Sequence, residues 1–361
     1  MRRKNYKKQG KFDKKFLILT LLLTVLGLIA LTDASAPSAL NDFGDKYYYL
    51  KQQLIWGVTG IALLFIFSNL NYKIWEKLAV QIFFISIILL ILVLIPGVGV
   101  RVLGARRWIV LGGLTFQPSE VIKFSLCIYF AKLAANDKKL FSYMVPLGLI
   151  SFLIILQPDL GTTISITTIG LVQMFLAGVN LLHFVGTLFG FGILGFLVIL
   201  ISDYRRDRLL TFLQQTQDPL GKGYHIRQIL LALGSGGLFG VGIGQSRQKY
   251  LFLPEAATDS IFAVVAEEVG FVGSSLLIVV FLAFILRGLK IMKSAPDEFS
   301  KILSAGIVTW IGGQAFLNIA SMLALVPLTG IPLPFFSYGG SSLTTILAAS
   351  GILLNVSKHS K

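Results

Sequence analysis

Acidic side chains are scarce in this chain, 17 among 361 residues, yet four of them crowd one stretch, "LPEAATDSIFAVVAEEVG" at 253–270. Glu255 and Asp259 stand four residues apart at the edge of a long apolar run. Paired carboxylates at such an edge suit general acid/base work or cation binding at a membrane surface. Asp259 and Thr258 are equally good N-caps for a helix beginning at Ser260. Glu267 and Glu268 lie about 12–14 Å further along that helix at 1.5 Å per residue, a depth that capping does not need. Their directions differ by about 100°, which predicts separate roles: one lines a cavity, the other pairs with a neighbouring helix.

A second constellation is "GARRWIVLGGLTFQPSEVIKFSL" at 104–126. Pro118 suits a first helical turn, so Glu120 and Lys123 share one helix face. Ionisable groups within a membrane segment face a cavity or one another. Two readings stay open: a self-paired structural ion pair, or Lys123 acting with Arg107 to neutralise a ligand's phosphates. Asp159 in "QPDLG" reads as a cap. Six glycines crowd 234–244. No Lys-Ser/Thr follows them and no strand precedes them, so they are neither a P-loop nor a dinucleotide fingerprint. They read as a close-packed re-entrant or bent segment. The lone Cys127 excludes an intrachain disulfide, and His183, His225 and His359 match no metal-ligand spacing.

The elements that must position these residues are membrane helices. Hydrophobic residues make up 55% of the chain and charged residues 14%, against about 25% charged in soluble domains. Ten apolar spans are predicted, at 16–33, 53–69, 79–96, 118–135, 143–157, 161–179, 183–201, 260–286, 302–326 and 341–356. The expected fold is an all-α polytopic membrane protein with both termini cytoplasmic and one large extracellular loop, 202–259, between spans 7 and 8. One transmembrane domain, 16–356, lies between a basic tail at 1–15 and a short tail at 357–361. The first apolar run is read as a retained helix rather than a cleaved signal. The net charge of +15 needs no nucleic acid, because cytoplasmic loops of membrane proteins favour Lys and Arg. Loop 202–259 breaks that bias. It holds Arg205, Arg206, Arg208, Lys222, Arg227, Arg247 and Lys249, and although long loops partly escape the rule, positive charge there wants a reason. Ile226, Ile229, Leu230 and Leu233 in the same loop form a stripe suited to an interfacial helix.

These segments, with "YRRDRLLTFL", "DPLGKGYHIRQILLALGSGGLFGVGIGQSRQKYLFLPEAATD" and "PLTGIPLPFFSYGGSS", resemble the SEDS family of bacterial shape, elongation, division and sporulation proteins. The likeness covers almost the whole chain, and "GQSRQKYLFLPE" and "GILLNVSK" look more like the FtsW division branch than the RodA elongation branch. It implies a multi-pass protein of the bacterial cytoplasmic membrane. The implied activity is a peptidoglycan glycosyltransferase that polymerises lipid II at the outer face during cell division. Implied partners are a class B penicillin-binding protein and other division or elongation proteins. By position, Asp259 falls on the family's essential aspartate. Arg107, Glu120 and Lys123 fall on its polar positions around the fourth span, and Glu255 and Arg208 on further motif positions. Lys222 and Arg247 join them as candidates for holding a pyrophosphate. The chain departs from the family pattern at Ala257 and Ser260, where relatives carry His and Phe, and at His225, where they carry Gln. A divalent cation such as Mg or Mn is a compatible cofactor that the residues do not fix. Two rival classes are a lipid II flippase, which intramembrane Glu120, Lys123, Glu267 and Glu268 would suit, and a non-catalytic division scaffold.

Overall fold

The computed structural model describes residues 10–102, 104–111, 114–136, 139–213 and 223–360. Every predicted span is a helix: α1 (Lys14–Phe43), α2 (Tyr48–Asn69), α3 (Lys73–Leu92), α4 (Pro118–Asn136), α5 (Leu140–Ile155), α6 (Leu160–Leu176), α7 (Leu181–Ile201), α10 (Ile261–Lys293), α11 (Glu298–Met322) and α12 (Gly340–Lys358). The large loop adds α8 (Asp203–Leu213) and α9 (Tyr224–Gly236). By length and composition α1, α2, α3, α7, α10, α11 and α12 can cross a membrane, and α5 and α6 are shorter apolar helices. This is a multi-pass membrane architecture. The polar α4 is shielded instead by protein, packing on α3, α6 and α11.

Glycine lets the central helices approach closely, as small residues do in membrane interfaces generally. A Cβ at Gly351 of α12 would lie 2.4 Å from the Leu64 carbonyl oxygen of α2. The two chain ends meet on one face. The Gly10 N–H donates to the Lys358 carbonyl at 2.9 Å, and Asp13, the N-cap of α1, pairs with Arg287 at 2.7 Å. Lys290 and Lys293 close α10 on this basic face, where a helix C-terminus favours cations.

Two features add detail to the expected all-α membrane fold: a short sheet, and a break within the span predicted at 260–286. Residues within 97–117 form an antiparallel sheet, β1 (Gly99–Val102), β2 (Ala105–Leu111) and β3 (Leu114–Phe116), in order β1-β2-β3. Strand alternation puts Arg107 on the face of buried Ala105 and Ile109. Helix α10 is broken at Gly270, with φ 68° and ψ −169°. The glycine segment after α9 docks into this break. Val241 N–H donates to the Glu267 carbonyl at 3.0 Å, and Phe271 N–H to the Gly237 carbonyl at 2.9 Å. A Cβ at Gly240 would sit 2.0 Å from the Glu268 carbonyl oxygen. The glycines thus serve backbone-to-backbone packing. Helix α9 buries Ile226, Ile229 and Ala232, but Leu230 of the predicted stripe faces outward.

Candidate functional site

The turn that carries Asp259 rests on the Pro- and Gly-rich segment before α12. The Ser337 hydroxyl donates to the Thr258 carbonyl at 2.6 Å, and the Tyr338 N–H to the Ala257 carbonyl at 2.8 Å. From α11, Asn318 Nδ2 donates to the carbonyls of Asp259 and Ile331, each at 2.8 Å. Within the turn, Glu255 takes a left-handed φ of 53°, and its carbonyl accepts from the N–H groups of Thr258 at 3.1 Å and Ser260 at 3.0 Å. The backbone at 255–260 is therefore fixed by hydrogen bonds on both sides.

With its main chain held, the Asp259 side chain is spare. The N-cap of α10 is Ser260, which makes no side-chain cap bond; the capping role expected for Asp259 or Thr258 is not the one adopted. Forgoing that cap costs about 1 kcal/mol. The Ser260 hydroxyl instead meets His225 Nε2 at 2.8 Å. Asp159, by contrast, caps α6 as its sequence predicts, accepting from Thr162 N–H at 2.9 Å.

Asp259 faces a cavity of about 280 Å³ lined by Asp207, Arg208 and Thr211 of α8, His225 and Ile226 of α9, Met322 of α11, and Leu328 and Gly330. A Cβ at Gly330 would lie 3.4 Å from Asp259 Oδ2 and 3.9 Å from Arg208 Nη1; glycine there keeps both groups open to the same space. Burial pushes the Asp259 carboxyl up to about 7, with Glu255 and then Asp159 adding to the rise while Arg208 and Arg107 oppose it. A helix N-terminus should have kept the group a firmly ionised, weak base. Desolvation outweighs that effect, and the result is a carboxylate poised near neutral pH.

The other predicted site residues divide clearly. Arg208 stands in the cavity wall, its Nη1 donating to the Leu328 carbonyl at 3.2 Å. Glu255 is exposed beside it, taking a hydrogen bond from Thr258 Oγ1 at 2.7 Å. Arg107 reaches from β2 to the α5–α6 connection. It donates to the Gln157 carbonyl at 3.0 Å and to the Pro158 carbonyl, and stands 3.7 Å from Asp159. Arg205 grips the same region through the Ile155 carbonyl at 3.2 Å. Burial, then the neighbouring Arg107, lowers its pKa. Glu120 and Lys123 do not reach the cavity. Each is 2% exposed and they pair at 2.7 Å. Lys123 also donates to Gln314 Oε1 at 3.0 Å, and Gln314 Nε2 donates to the Pro332 carbonyl at 3.0 Å. They brace, from behind, the segment beneath Asp259. Arg247 is exposed and outside the cavity lining, and Lys222 lies outside the described residues.

The expectation that Glu267 and Glu268 part company is corrected. Both grip one turn, 246–249. Glu267 accepts from the Ser246 hydroxyl and from the N–H groups of Arg247 at 3.2 Å and Gln248 at 3.3 Å. Glu268 accepts from Ser246 N–H at 3.2 Å and Lys249 Nζ at 2.8 Å. Lys249 also binds Asp33 of α1 at 2.7 Å. Neither glutamate lines the cavity. Among the described residues no three His, Cys, Asp or Glu side chains converge to hold a metal ion.

Sequence reasoning passed over Asp207 and Thr211, although both lie in "YRRDRLLTFL", over Leu328, although it lies in "PLTGIPLPFFSYGGSS", and over Met322, which lies in no quoted motif. His225 and Ser260 did show a signal, as departures from the family pattern.

The family model described as "Cell cycle protein", for FtsW, RodA and SpoVE, matches residues 13–361. The chain belongs to the FtsW/RodA/SpoVE family. Stage V sporulation protein E of Bacillus subtilis is 43% identical, over 97% of this chain and 98% of that one. A probable peptidoglycan glycosyltransferase FtsW of Trichlorobacter lovleyi is 39% identical, over 96% and 93%. Among solved structures, a chain described under "structural coordination of polymerization and crosslinking by a peptidoglycan synthase complex" matches with TM-score 0.79 at 29% identity, covering 96% of this chain and 98% of that one. The rod shape determining protein RodA of Thermus thermophilus matches with TM-score 0.71 at 28% identity, covering 97% of each chain. This family likeness extends over α1 to α12 and the turn that carries Asp259.

Proposed function

We propose that this protein is a peptidoglycan glycosyltransferase that polymerises lipid II at the outer face of the bacterial cytoplasmic membrane. Relatives of 37–39% identity bear the glycosyltransferase name. The observation that carries the reading is a carboxylate with no hydrogen-bond partner for its side chain among the described residues. It faces a cavity beside Arg208 and is poised near neutral pH. Asp259 accepts the proton of the acceptor sugar's hydroxyl. The hydroxyl oxygen then attacks the anomeric carbon of the donor as the carbon–oxygen bond to the pyrophosphate breaks. The pyrophosphate leaves with the bonding electrons and needs positive charge rather than a proton. Arg208 in the wall supplies it, with Arg107 and Arg205 close behind. This accounts for basic residues on an outer loop, against the usual charge bias.

Transport is disfavoured because the intramembrane ionisable groups are engaged elsewhere. Glu120 pairs with Lys123, and Glu267 and Glu268 bind the turn at 246–249. The likeness to a chain from a peptidoglycan synthase complex that couples polymerization with crosslinking supports a working unit that includes a class B penicillin-binding protein. The test is polymerisation of lipid II in vesicles by the protein with such a partner. Asp259→Asn is expected to lower the rate by about 10²–10⁴-fold without loss of partner binding. Polymerisation at the unsubstituted rate by that variant refutes the assignment.

A further inference from the structure

His225 sits in the first turn of α9, and its ring lines the same cavity as Asp259. The ring reaches the turn at 254–260, where its Nε2 lies 2.8 Å from Ser260 Oγ. Ser260 is fully buried and follows Asp259 directly. The ring cannot drift, because Ile226, Ile229 and Ala232 bury the same helix against α10.

We infer that His225 is a positioning residue for the transfer. Its ring holds Ser260, fixes the Asp259 carboxylate in the cavity wall and shields it from water. Burial, followed by the charge of Arg208, lowers the His225 pKa to about 4, so a neutral ring holds this post at physiological pH. The inference rests on Asp259 acting as the base.

The groups that face Asp259 are Glu255 on its own turn, Asp159 at the start of α6, Asp207 and Arg208 on α8, and Arg107 on β2. All of them remain in His225 variants, so a change in the pH profile reports the ring. The experiment measures lipid II polymerisation against pH, in vesicles with the partner present, for His225→Ala, His225→Gln, Ser260→Ala and Asp259→Asn. His225→Ala admits water to the carboxylate. Its acidic limb is expected to move down by about one pH unit, with kcat reduced about tenfold. The glutamine amide can both donate to and accept from the Ser260 hydroxyl. His225→Gln is therefore expected to keep the limb of the unsubstituted protein and to lie within about threefold of its rate. Ser260→Ala moves the limb in the same direction as His225→Ala, and the double alanine variant is no worse than His225→Ala alone. An unmoved limb in both His225→Ala and Ser260→Ala overturns the inference, as does a glutamine variant no better than alanine. Should His225→Ala fail to fold, Ser260→Ala and His225→Gln decide the matter by the same criteria. An active Asp259→Asn sinks the base assignment itself, whereas an inactive Asp259→Asn beside an unperturbed His225→Ala sinks only the role of His225.

Discussion

At the scale of the residue, burial gives Asp259 the proton affinity that the proposed general base needs. A carboxyl ordinarily titrates near 3.9; this one is pushed up to about 7, first by burial and then by Glu255 and Asp159. The ionised form is the competent base, so activity should rise with pH through about 7 and fall about tenfold per unit below it. A single-proton acidic limb near 7 in kcat/KM checks this; a limb near 4 contradicts it. The same shift has a sign for stability. Between about 4 and 7 the folded state holds a proton that the unfolded chain has lost, so stability drains away as pH rises through that window. Asp259→Asn removes the slope. Its gain in Tm over the unsubstituted protein should be larger at pH 8 than at pH 5.5. An equal or reversed difference would show that the carboxyl is not desolvated. Sequence alone singled out Asp259 as a candidate but mistook its local duty. Thr258, Asp259 and Ser260 are all competent caps, and only the backbone angles decide which one caps. Here Ser260 occupies the position, and its hydroxyl is spent on His225 instead.

At the scale of the element, the ten spans were legible because runs of apolar side chains are written directly into the chain. The sheet was not, because β1, β2 and β3 are short and lie among glycines that read as loop. The fate of Glu267 and Glu268 was hidden for another reason. An angle around a helix says which way a side chain points, but not that a segment distant in sequence curls around that helix to meet both. The turn at 246–249 does so, and Lys249 joins Asp33 of α1 to Glu268 of α10. Lys249→Met leaves two carboxylates facing one another. It should destabilise the protein by about 2–4 kcal/mol, toward the lower part of the range for broken buried pairs, because Asp33 is partly exposed. Thermal unfolding in detergent reads this out. Lys249→Met combined with Glu268→Gln should recover part of the loss, and no recovery would mean that the network is not electrostatic. Gly270 offers a second test. A Cβ there would lie 2.2 Å from the Gly240 nitrogen, in a left-handed conformation. Gly270→Ala should therefore lower stability and activity together, since the same docking sets the start of the segment that leads to Asp259.

At the scale of the whole molecule, the proposal requires the turn at 254–260 and the end of α10 to lie on opposite sides of the membrane. The part of α10 after its break, residues 271–293, is about 35 Å long at 1.5 Å per residue, enough to cross a hydrocarbon core of about 30 Å. Its C-terminal end carries Lys290 and Lys293 and shares a face with both chain ends, which the charge bias assigns to the cytoplasm. The chain itself provides a clean background for testing this, because its single thiol, Cys127, is fully buried and shielded from reagents. Phe252→Cys, at an exposed position seven residues before Asp259, should react with a membrane-impermeant maleimide in intact cells. Lys293→Cys, exposed at the far end of α10, should react only after the membrane is opened. The unsubstituted protein should stay unlabelled in both conditions. Labelling of Lys293→Cys in intact cells, with Phe252→Cys protected, would invert the topology. It would place Asp259 on the cytoplasmic side, away from any glycan strand growing outside.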